Sequence, residues 1–207
     1  MVYRIDSAIA APHCADVQFK QTPTRRYFDS LAPGEGLMLS EADVPSQAVL
    51  VSKHKVLPDF VKISGKISLS SHVKDLLTGI MPNISQLFPV IINRERGDVE
   101  IVGSRGLSLK MPYWVLNPMV RLDAVDLDHS KAKVEVIGRK LENRKTFVTL
   151  GPLRYEGIVF NKSLLNGYAL WASVYHLPGS LFISDEFYGA INSHRLKGLL
   201  CKHLAEI

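Results

Sequence analysis

The densest group of chemically active side chains lies mid-chain, at Asp123, Asp126, Asp128 and His129. Several carboxylate oxygens that converge on one point bind hard cations such as Ca²⁺. In a strand or bend, acids at i, i+3 and i+5 diverge instead, and no glycine lets a loop wrap an ion. The spacing favours polar caps of a bulge and a hairpin. A small-ligand or metal-binding enzyme site built on Asp123, Asp126 and His129, with Arg121 beside them, stays open as the alternative.

Two short motifs resemble nucleophile sites. Ser71–Lys74 fits the S-x-x-K pattern of penicillin-recognising enzymes, but the S-D-N and K-T-G partner motifs are absent, and a lysine in the first turn of a helix is the simpler interpretation. The serine of Gly103–Gly106 is one position away from that of G-x-S-x-G. The sequence contains no phosphate-binding loop, no H-E-x-x-H, no C-x-x-C and no two histidines four residues apart. We therefore predict no catalytic residue, no metal ligand and no cofactor.

Aromatic and charged residues of the middle and C-terminal parts are candidates for partner binding. Tyr and Trp are enriched at binding hot spots, although large aromatic residues are more often part of a core. The sequence leaves both interpretations open for each aromatic residue. The candidate partner-binding residues are Tyr113, Trp114, Arg121, Asp126, Asp128, Trp171 and Tyr175.

Composition and charge exclude several classes. The 207 residues are 46% hydrophobic and 22% charged, which suits a globular chain with a real core. The net charge of +5 argues against an acidic, DNA-mimicking inhibitor. Basic residues are densest in Arg139–Lys145, which we interpret as a solvated hairpin tip, with nucleic-acid binding as a weaker alternative.

We expect neither a secretion signal nor a membrane-spanning segment. The apolar patch near its start, SAIAAP, is too short for a signal peptide, and no run of about 18 apolar residues occurs. Cys14 and Cys201 have no spacing that pairs them. We therefore expect a cytoplasmic protein with free thiols and no membrane partner.

Prolines at roughly ten-residue intervals exclude long helices from the first 60 residues. We predict short strands at Val2–Ile5, Leu37–Leu39 and Ala48–Val51, and a turn at Pro33–Gly36. The fold class that we predict is α+β, with a mixed, mostly antiparallel sheet, two or three short helices and a strand-rich N-terminal third. We expect one domain over residues 1–207, in which an irregular part, 1–60, packs on a core formed by 61–207.

Two segments share the order strand, serine, helix. A strand through Val61, Ile63 and Ile67 leads to Ser70, which caps a helix over His72–Thr78. We expect Gly79 to end that helix. Near the C-terminus, Leu181–Ile183 leads to Ser184, and Gly198 is expected to close the second helix. His194 falls on the apolar face of this helix, which predicts a core histidine. We expect both helices to pack on a common sheet.

The segments between these units read as short strands. Leu87–Ile92 and Tyr113–Leu116 are strand-like, and the latter is expected to break at Asn117-Pro118. The apolar residues Val120, Leu122 and Ala124 share one face of a strand, whereas Leu127 falls on the opposite face. This shift predicts a bulge or a strand end near Asp123–Asp126. Further strands are expected at Val134–Ile137 and Thr146–Leu150, as a hairpin, and at Ile158–Phe160 and Ala169–Val174.

The stretch YWVLNPMVRLDAVDLDHS resembles the hallmark of the immunity protein 11 family, an aromatic strand and an asparagine followed by V-x-x-D-x-x-D-x-x-x-S. The stretches ISLSSHVKDLL, LFPVII and LFISDEFYGAINSHRLKGL resemble the middle and the end of the same family, so the resemblance covers roughly residues 60–200. The hallmark residues in this chain are Tyr113, Trp114, Leu116, Asn117, Asp123, Asp126 and Ser130.

The resemblance implies a bacterial immunity protein linked to polymorphic or contact-delivered toxins. Such a protein binds its cognate toxin stoichiometrically and blocks the active site or an exosite. The resemblance transfers no catalytic residue, and it implies a protein partner and no enzyme activity.

Overall fold

The computed structural model describes residues 1–6, 16–29, 37–51, 56–82, 85–94, 102–103, 112–136, 145–149, 157–176 and 181–207, with backbone only for residues 6, 132–136, 145–149 and 175–176. The described part is rich in strands and contains three α-helices. Two 3-10 turns lie at Glu41–Asp43 and Lys162–Leu165. The helices are α1 (Arg25–Asp29), α2 (Ser71–Ile80) and α3 (Asp185–Ser193). The strands are β1 (Val2–Asp6), β2 (Val17–Phe19), β3 (Gln47–Leu50), β4 (Val56–Leu57), β5 (Phe60–Ile63), β6 (Lys66–Leu69), β7 (Ser85–Arg94), β8 (Val102–Gly103), β9 (Tyr113–Pro118), β10 (Arg121–Leu122), β11 (Val125–Asp126), β12 (Ala132–Val136), β13 (Lys145–Thr149), β14 (Val159–Phe160), β15 (Leu170–Ser173), β16 (Tyr175–His176), β17 (Leu181–Ser184) and β18 (Leu200–Glu206).

Two sheets dominate the structure. Strands β2, β3, β7, β9, β6 and β5 close into a barrel, and a seven-stranded sheet has the order β10-β15-β17-β1-β18-β14-β11. Both are mixed, since β3 runs parallel to β7 and β14 runs parallel to β18. The coarse prediction of an α+β fold with mixed sheets is confirmed, whereas a mostly antiparallel sheet and a strand-rich N-terminal third stay predictions.

The two predicted helices lie in one layer between the barrel and the seven-stranded sheet. A single apolar cluster contains Leu116 of the barrel, Val73 of α2, Phe187 of α3 and Ile5 of the sheet. Helix α2 contacts β6 and β9, and helix α3 contacts β17 and β1. The expectation of a common sheet is therefore wrong: each helix rests on a different sheet, and the two helices contact each other.

Two further apolar clusters fill the barrel and cover the far face of the sheet. Inside the barrel, Val61, Val90 and Val115 are almost fully buried together with Tyr27 of α1. Beyond the sheet, Phe160, Trp171 and Phe182 pack with Val2 and Leu204. Among the described residues, no helix is long and apolar enough to span a bilayer.

Several predicted boundaries need correction. The single strand predicted before Ser70 is a hairpin of β5 and β6, because Ser64 and Gly65 both have positive φ and form a tight turn. Strand β9 runs through Asn117 to Pro118 and does not stop at Leu116, since Asn117 pairs with Gln86 of β7. Leu37–Leu39 is not a strand.

The helix starts are confirmed and the helix ends are not. Ser70 accepts a hydrogen bond from the Val73 amide, and Ser184 accepts one from the Phe187 amide. Gly79 lies inside α2, which continues one residue further before the Met81 cap. Helix α3 ends at Ser193, and Gly198 lies in the turn that follows.

The strands predicted after the hallmark lie close to their expected positions. The strand end expected near Asp123–Asp126 is confirmed by the gap between β10 and β11. Strands β12 and β13 form the predicted antiparallel hairpin. The Pro33–Gly36 turn and most of the basic tip, residues 139–144, fall outside the described residues.

Asp59, which is 4% exposed, joins the two strand–helix units. Its carboxylate accepts hydrogen bonds from the Ser70 hydroxyl at 3.1 Å and from the Lys197 amide at 2.8 Å. The Phe60 amide in turn donates to the Lys197 carbonyl at 3.0 Å. One buried acid therefore fixes the start of α2 to the turn that leaves α3.

Candidate partner-binding surface

The central acids form a turn rather than a metal centre. The Asp126 carboxylate accepts hydrogen bonds from the amides of Asp128 and His129 at 3.1 and 3.0 Å, and His129 Nδ1 lies 3.0 Å from it. The amide hydrogen bond from His129 is the main cause that lowers the pKa of Asp126. Asp123 and Asp128 point outward as exposed residues. Among the described residues, no three His, Cys, Asp or Glu side chains converge as a metal site would need.

Ser130 attaches this turn to the sheet. Its hydroxyl donates to the Asp126 carbonyl and accepts from the Val159 amide at 2.9 Å. The spacing of Asp126 and Ser130 therefore has a structural explanation. The Ser130 hydroxyl bonds to the backbone of Asp126 at the end of β11 and to the backbone of Val159 in β14.

Two of the aromatic candidates are core residues. Tyr113 is 2% exposed, and its hydroxyl donates to the Pro58 carbonyl at 2.8 Å; burial raises its pKa. Trp171 is 1% exposed and stacks on Phe182. Their side chains offer a partner no surface.

Three further candidates lie elsewhere. Arg121 is half-buried on β10, and burial lowers its pKa. Asp128 remains accessible at the turn. Tyr175 belongs to β16, but its side chain is outside the described residues. Partner contact by Arg121, Asp126 and Asp128 stays a prediction.

Trp114 is the candidate that the structure presents as a rigid, partly exposed aromatic side chain. The indole N–H donates to the Ser71 hydroxyl at 3.3 Å, and the Lys74 ammonium lies 4.6 Å from the ring centroid. This cation–π geometry and the hydrogen bond fix the ring from the side of α2. Ser71 and Lys74 are the ends of the S-x-x-K motif, and their observed role is to hold Trp114.

Two apolar side chains extend the surface next to Trp114. Pro89 is exposed and pairs directly with Trp114 across β7 and β9. Ile91 is 42% exposed, two residues further along β7 on the same face. We call the set Trp114, Pro89, Ile91 and Lys74 the Trp114 face. Pro89 and Ile91 were not predicted as site residues, although alternation within LFPVII places them on one side of a strand.

A buried polar network closes one end of the barrel. Lys66 is 2% exposed, and its ammonium donates to Asn117 Oδ1 at 3.0 Å. Asn117 Nδ2 donates to Gln86 Oε1 at 3.0 Å and to the Leu37 carbonyl at 2.9 Å. Burial, with a smaller contribution from Arg121, lowers the pKa of Lys66 to about 7. Lys66 and Asn117 are buried, so their hydrogen bond is stronger than it would be in water.

A pocket of about 320 Å³ lies where α2 ends and α3 begins. Ile80 and Met81, at the end of α2, line it together with Ser184 and Asp185 at the start of α3. Glu186 and Glu206 also line it, together with Lys162 and the Met1 ammonium, which lies 3.3 Å from Glu206.

The relationship of the chain to known proteins follows from a family comparison. A model of the immunity protein family Imm11 matches residues 11–205. The chain belongs to the Imm11 immunity protein family. No curated protein matches it.

Imm11 membership confirms the resemblance and extends it. The hallmark stretch pointed to roughly residues 60–200, whereas the family match begins at residue 11. It therefore includes β2, α1 and β3, which the sequence analysis treated as unmatched. In this Imm11 protein the hallmark residues include one with an accessible ring, Trp114, and two that close a turn, Asp126 and Ser130.

Proposed function

We propose that this Imm11 protein is a cytoplasmic immunity protein that binds one cognate toxin and blocks its active site or an exosite. The observation that carries the proposal is the family match over residues 11–205. Its net charge of +5 is unlike that of an inhibitor that mimics DNA, so we infer a toxin surface other than a basic nucleic-acid cleft.

The hydrogen bonds of the Asp126 carboxylate support the proposal. Asp126 uses its carboxylate to hold the amides of its own turn, so the alternative of an enzyme centred on Asp123, Asp126 and His129 receives no support from the described residues. A rigid, partly exposed tryptophan next to outward-facing apolar residues suits a protein that acts through contact with another protein.

The test is a titration against a candidate toxin, for which we take the protein encoded by the neighbouring gene. Purified chain is added to the active toxin, and the remaining toxin activity is measured. A stoichiometric inhibitor gives a break at a one-to-one ratio and a stable complex in size-exclusion chromatography. Protection of cells that express the toxin accompanies it.

An enzyme that destroys the toxin or its product would behave differently. It would protect at far below one equivalent, and Asp126→Asn would abolish protection while the chain stays folded. Either outcome, or no protection at all by the wild-type chain, would reject the proposed function.

A further inference from the structure

The two ends of the helix layer between the two sheets carry different sets of charged residues. Helices α2 and α3 run in opposite directions, because His72 at the start of α2 lies against His194 after α3, with ring centroids 5.3 Å apart. At the other end, Met81 and Asp185 line the same pocket. The start of α2 and the exit of α3 therefore form one surface, which we call the basic end.

The basic end carries more positive than negative charge among its described residues. Lys74, Arg195 and Lys197 lie there with Asp75 as the exposed acid, since Asp59 is buried. At the opposite end, Asp185 and Glu186 are exposed at the start of α3. A partner that approaches the basic end is attracted if its own surface is acidic.

The Trp114 face borders this basic end. Lys74 belongs to both, because its ammonium lies over the Trp114 ring and 3.2 Å from the Asp75 carboxylate. The Asp75 side chain is 69% exposed, and an exposed ion pair of this kind contributes little. A carboxylate of a partner can therefore replace Asp75 beside Lys74 at small cost.

The ring of Trp114 is also preorganised for binding. Its orientation is fixed by Ser71 and Lys74 before any partner arrives, so little side-chain entropy is lost on association. Pro89 and Ile91 add exposed apolar side chains beside the ring. Hot spots at protein interfaces favour tryptophan and arginine, which Trp114 and the exposed Arg195 supply here.

We propose that the Trp114 face and the basic end together form the docking surface for an acidic segment of the cognate toxin. This assignment rests on the proposed function and specifies where, and with what chemistry, the toxin binds. The toxin segment supplies a carboxylate to Lys74 and Arg195 and an apolar side chain to Trp114 and Ile91.

The experiment measures binding of the candidate toxin of the titration above, purified as an inactive variant, by calorimetry and by surface-based kinetics. Trp114→Ala is expected to lower the affinity at least about 30-fold. Lys74→Glu is expected to lower it about tenfold, mostly through the association rate, and added salt should shrink that effect. Lys162→Glu, an exposed charge reversal at the pocket where α2 ends and α3 begins, is the matched control and should stay within about twofold of wild type.

Folding is checked separately, because Trp114 also packs on the helix layer. Thermal unfolding of each variant is compared with wild type. Ile91 is 42% exposed, so Ile91→Ser tests the surface even if Trp114→Ala proves unstable, whereas Lys74→Glu also removes a contact that holds the Trp114 ring.

Four outcomes are decisive. Loss of affinity in Lys74→Glu and Ile91→Ser, with normal affinity in Lys162→Glu, supports the assignment. If the wild-type chain binds and neutralises the toxin while both face variants bind equally well, the docking surface is rejected and the proposed function stands. If wild type neither binds nor neutralises it, both fall. Tight binding of a single-stranded RNA 20-mer that Lys74→Glu abolishes, with toxin affinity unchanged, would assign the surface to nucleic acid instead.

Discussion

The two strand–serine–helix units of this protein start from the same local signals and end in different surroundings. In each, a short strand leads to a serine whose hydroxyl caps the helix: Ser70 accepts from Val73 N at 3.4 Å, and Ser184 accepts from Phe187 N at 3.2 Å. The strands differ, because β6 begins with a buried lysine and β17 has three buried apolar residues.

The larger difference lies in what each helix start touches. The cap of α2 is bonded to buried Asp59, and through it to the turn after α3. The start of α3 lies at the edge of a pocket, with Asp185 and Glu186 in the first turn. Local signals thus set where both helices begin, whereas tertiary contacts make one start a structural junction and the other an open surface.

The largest expected effect is at the junction itself. Gly198 has φ +95°, and an added Cβ would lie 2.3 Å from the Phe60 carbonyl oxygen. Gly198→Ala should therefore destabilise the protein by about 3 kcal/mol or more in urea unfolding. Gly189→Ala in α3 is the control: an added Cβ there meets nothing within 4 Å, so the change should stabilise by about 0.5–1 kcal/mol. Equal changes in stability for Gly198→Ala and Gly189→Ala would contradict the close packing of Gly198 against Phe60.

The next effect concerns the acid that couples the two units. Asp59→Ala removes the acceptor of the Lys197 amide and of the Ser70 hydroxyl, and the expected loss is about 2–4 kcal/mol. In double-mutant cycles, Asp59→Ala should couple to Ser70→Ala by at least about 0.5 kcal/mol and be additive with Ser184→Ala. Coupling of the same size to both serines would show that the two helix starts are equivalent after all.

A third effect concerns the buried lysine at the start of β6, Lys66, which makes the free energy of unfolding depend on pH. Burial lowers the pKa of Lys66 from 10.5 to about 7, so above that pH the unfolded chain holds a proton that the folded chain has released. The free energy of unfolding should therefore rise with pH, by about 2 kcal/mol between about pH 7 and about pH 9.

Lys66→Met should remove that rise and cost about 1–3 kcal/mol of stability near pH 7, because the buried Asn117 Oδ1 loses the donor that Lys66 supplies. Chemical denaturation at several pH values measures both variants. A rise of unchanged slope in Lys66→Met would assign it to another group.

The smallest effect compares the caps directly. Ser184→Ala should cost about 1 kcal/mol, the usual value for a lost N-cap. Ser70→Ala should cost roughly 1 kcal/mol more, because it also removes the hydrogen bond to Asp59. Thermal unfolding of the two variants gives the difference, and a larger loss for Ser184→Ala would reverse the comparison.

The sequence predicted the parts of the candidate site that depend on near neighbours. The turn role of Asp126 followed from acids that diverge, and the cap role of Ser70 followed from a serine before an amphipathic stretch. It did not separate Trp114 from Tyr113 and Trp171, since all three are large aromatic residues in apolar strands. His194, expected in the core, is exposed after the end of α3, because the helix stops at Ser193.

Local chemistry by itself determined the helix starts, most strand positions and the family, because each depends on residues within a few positions of one another. Only the tertiary structure decided which side of each strand is covered. Alternation within β9 fixes that Trp114 faces away from Tyr113, but α2 and the barrel decide that Tyr113 is enclosed and Trp114 reaches solvent. In the same way β1 pairs with β17 and β18, from the far end of the chain, because the apolar area buried there favours that pairing.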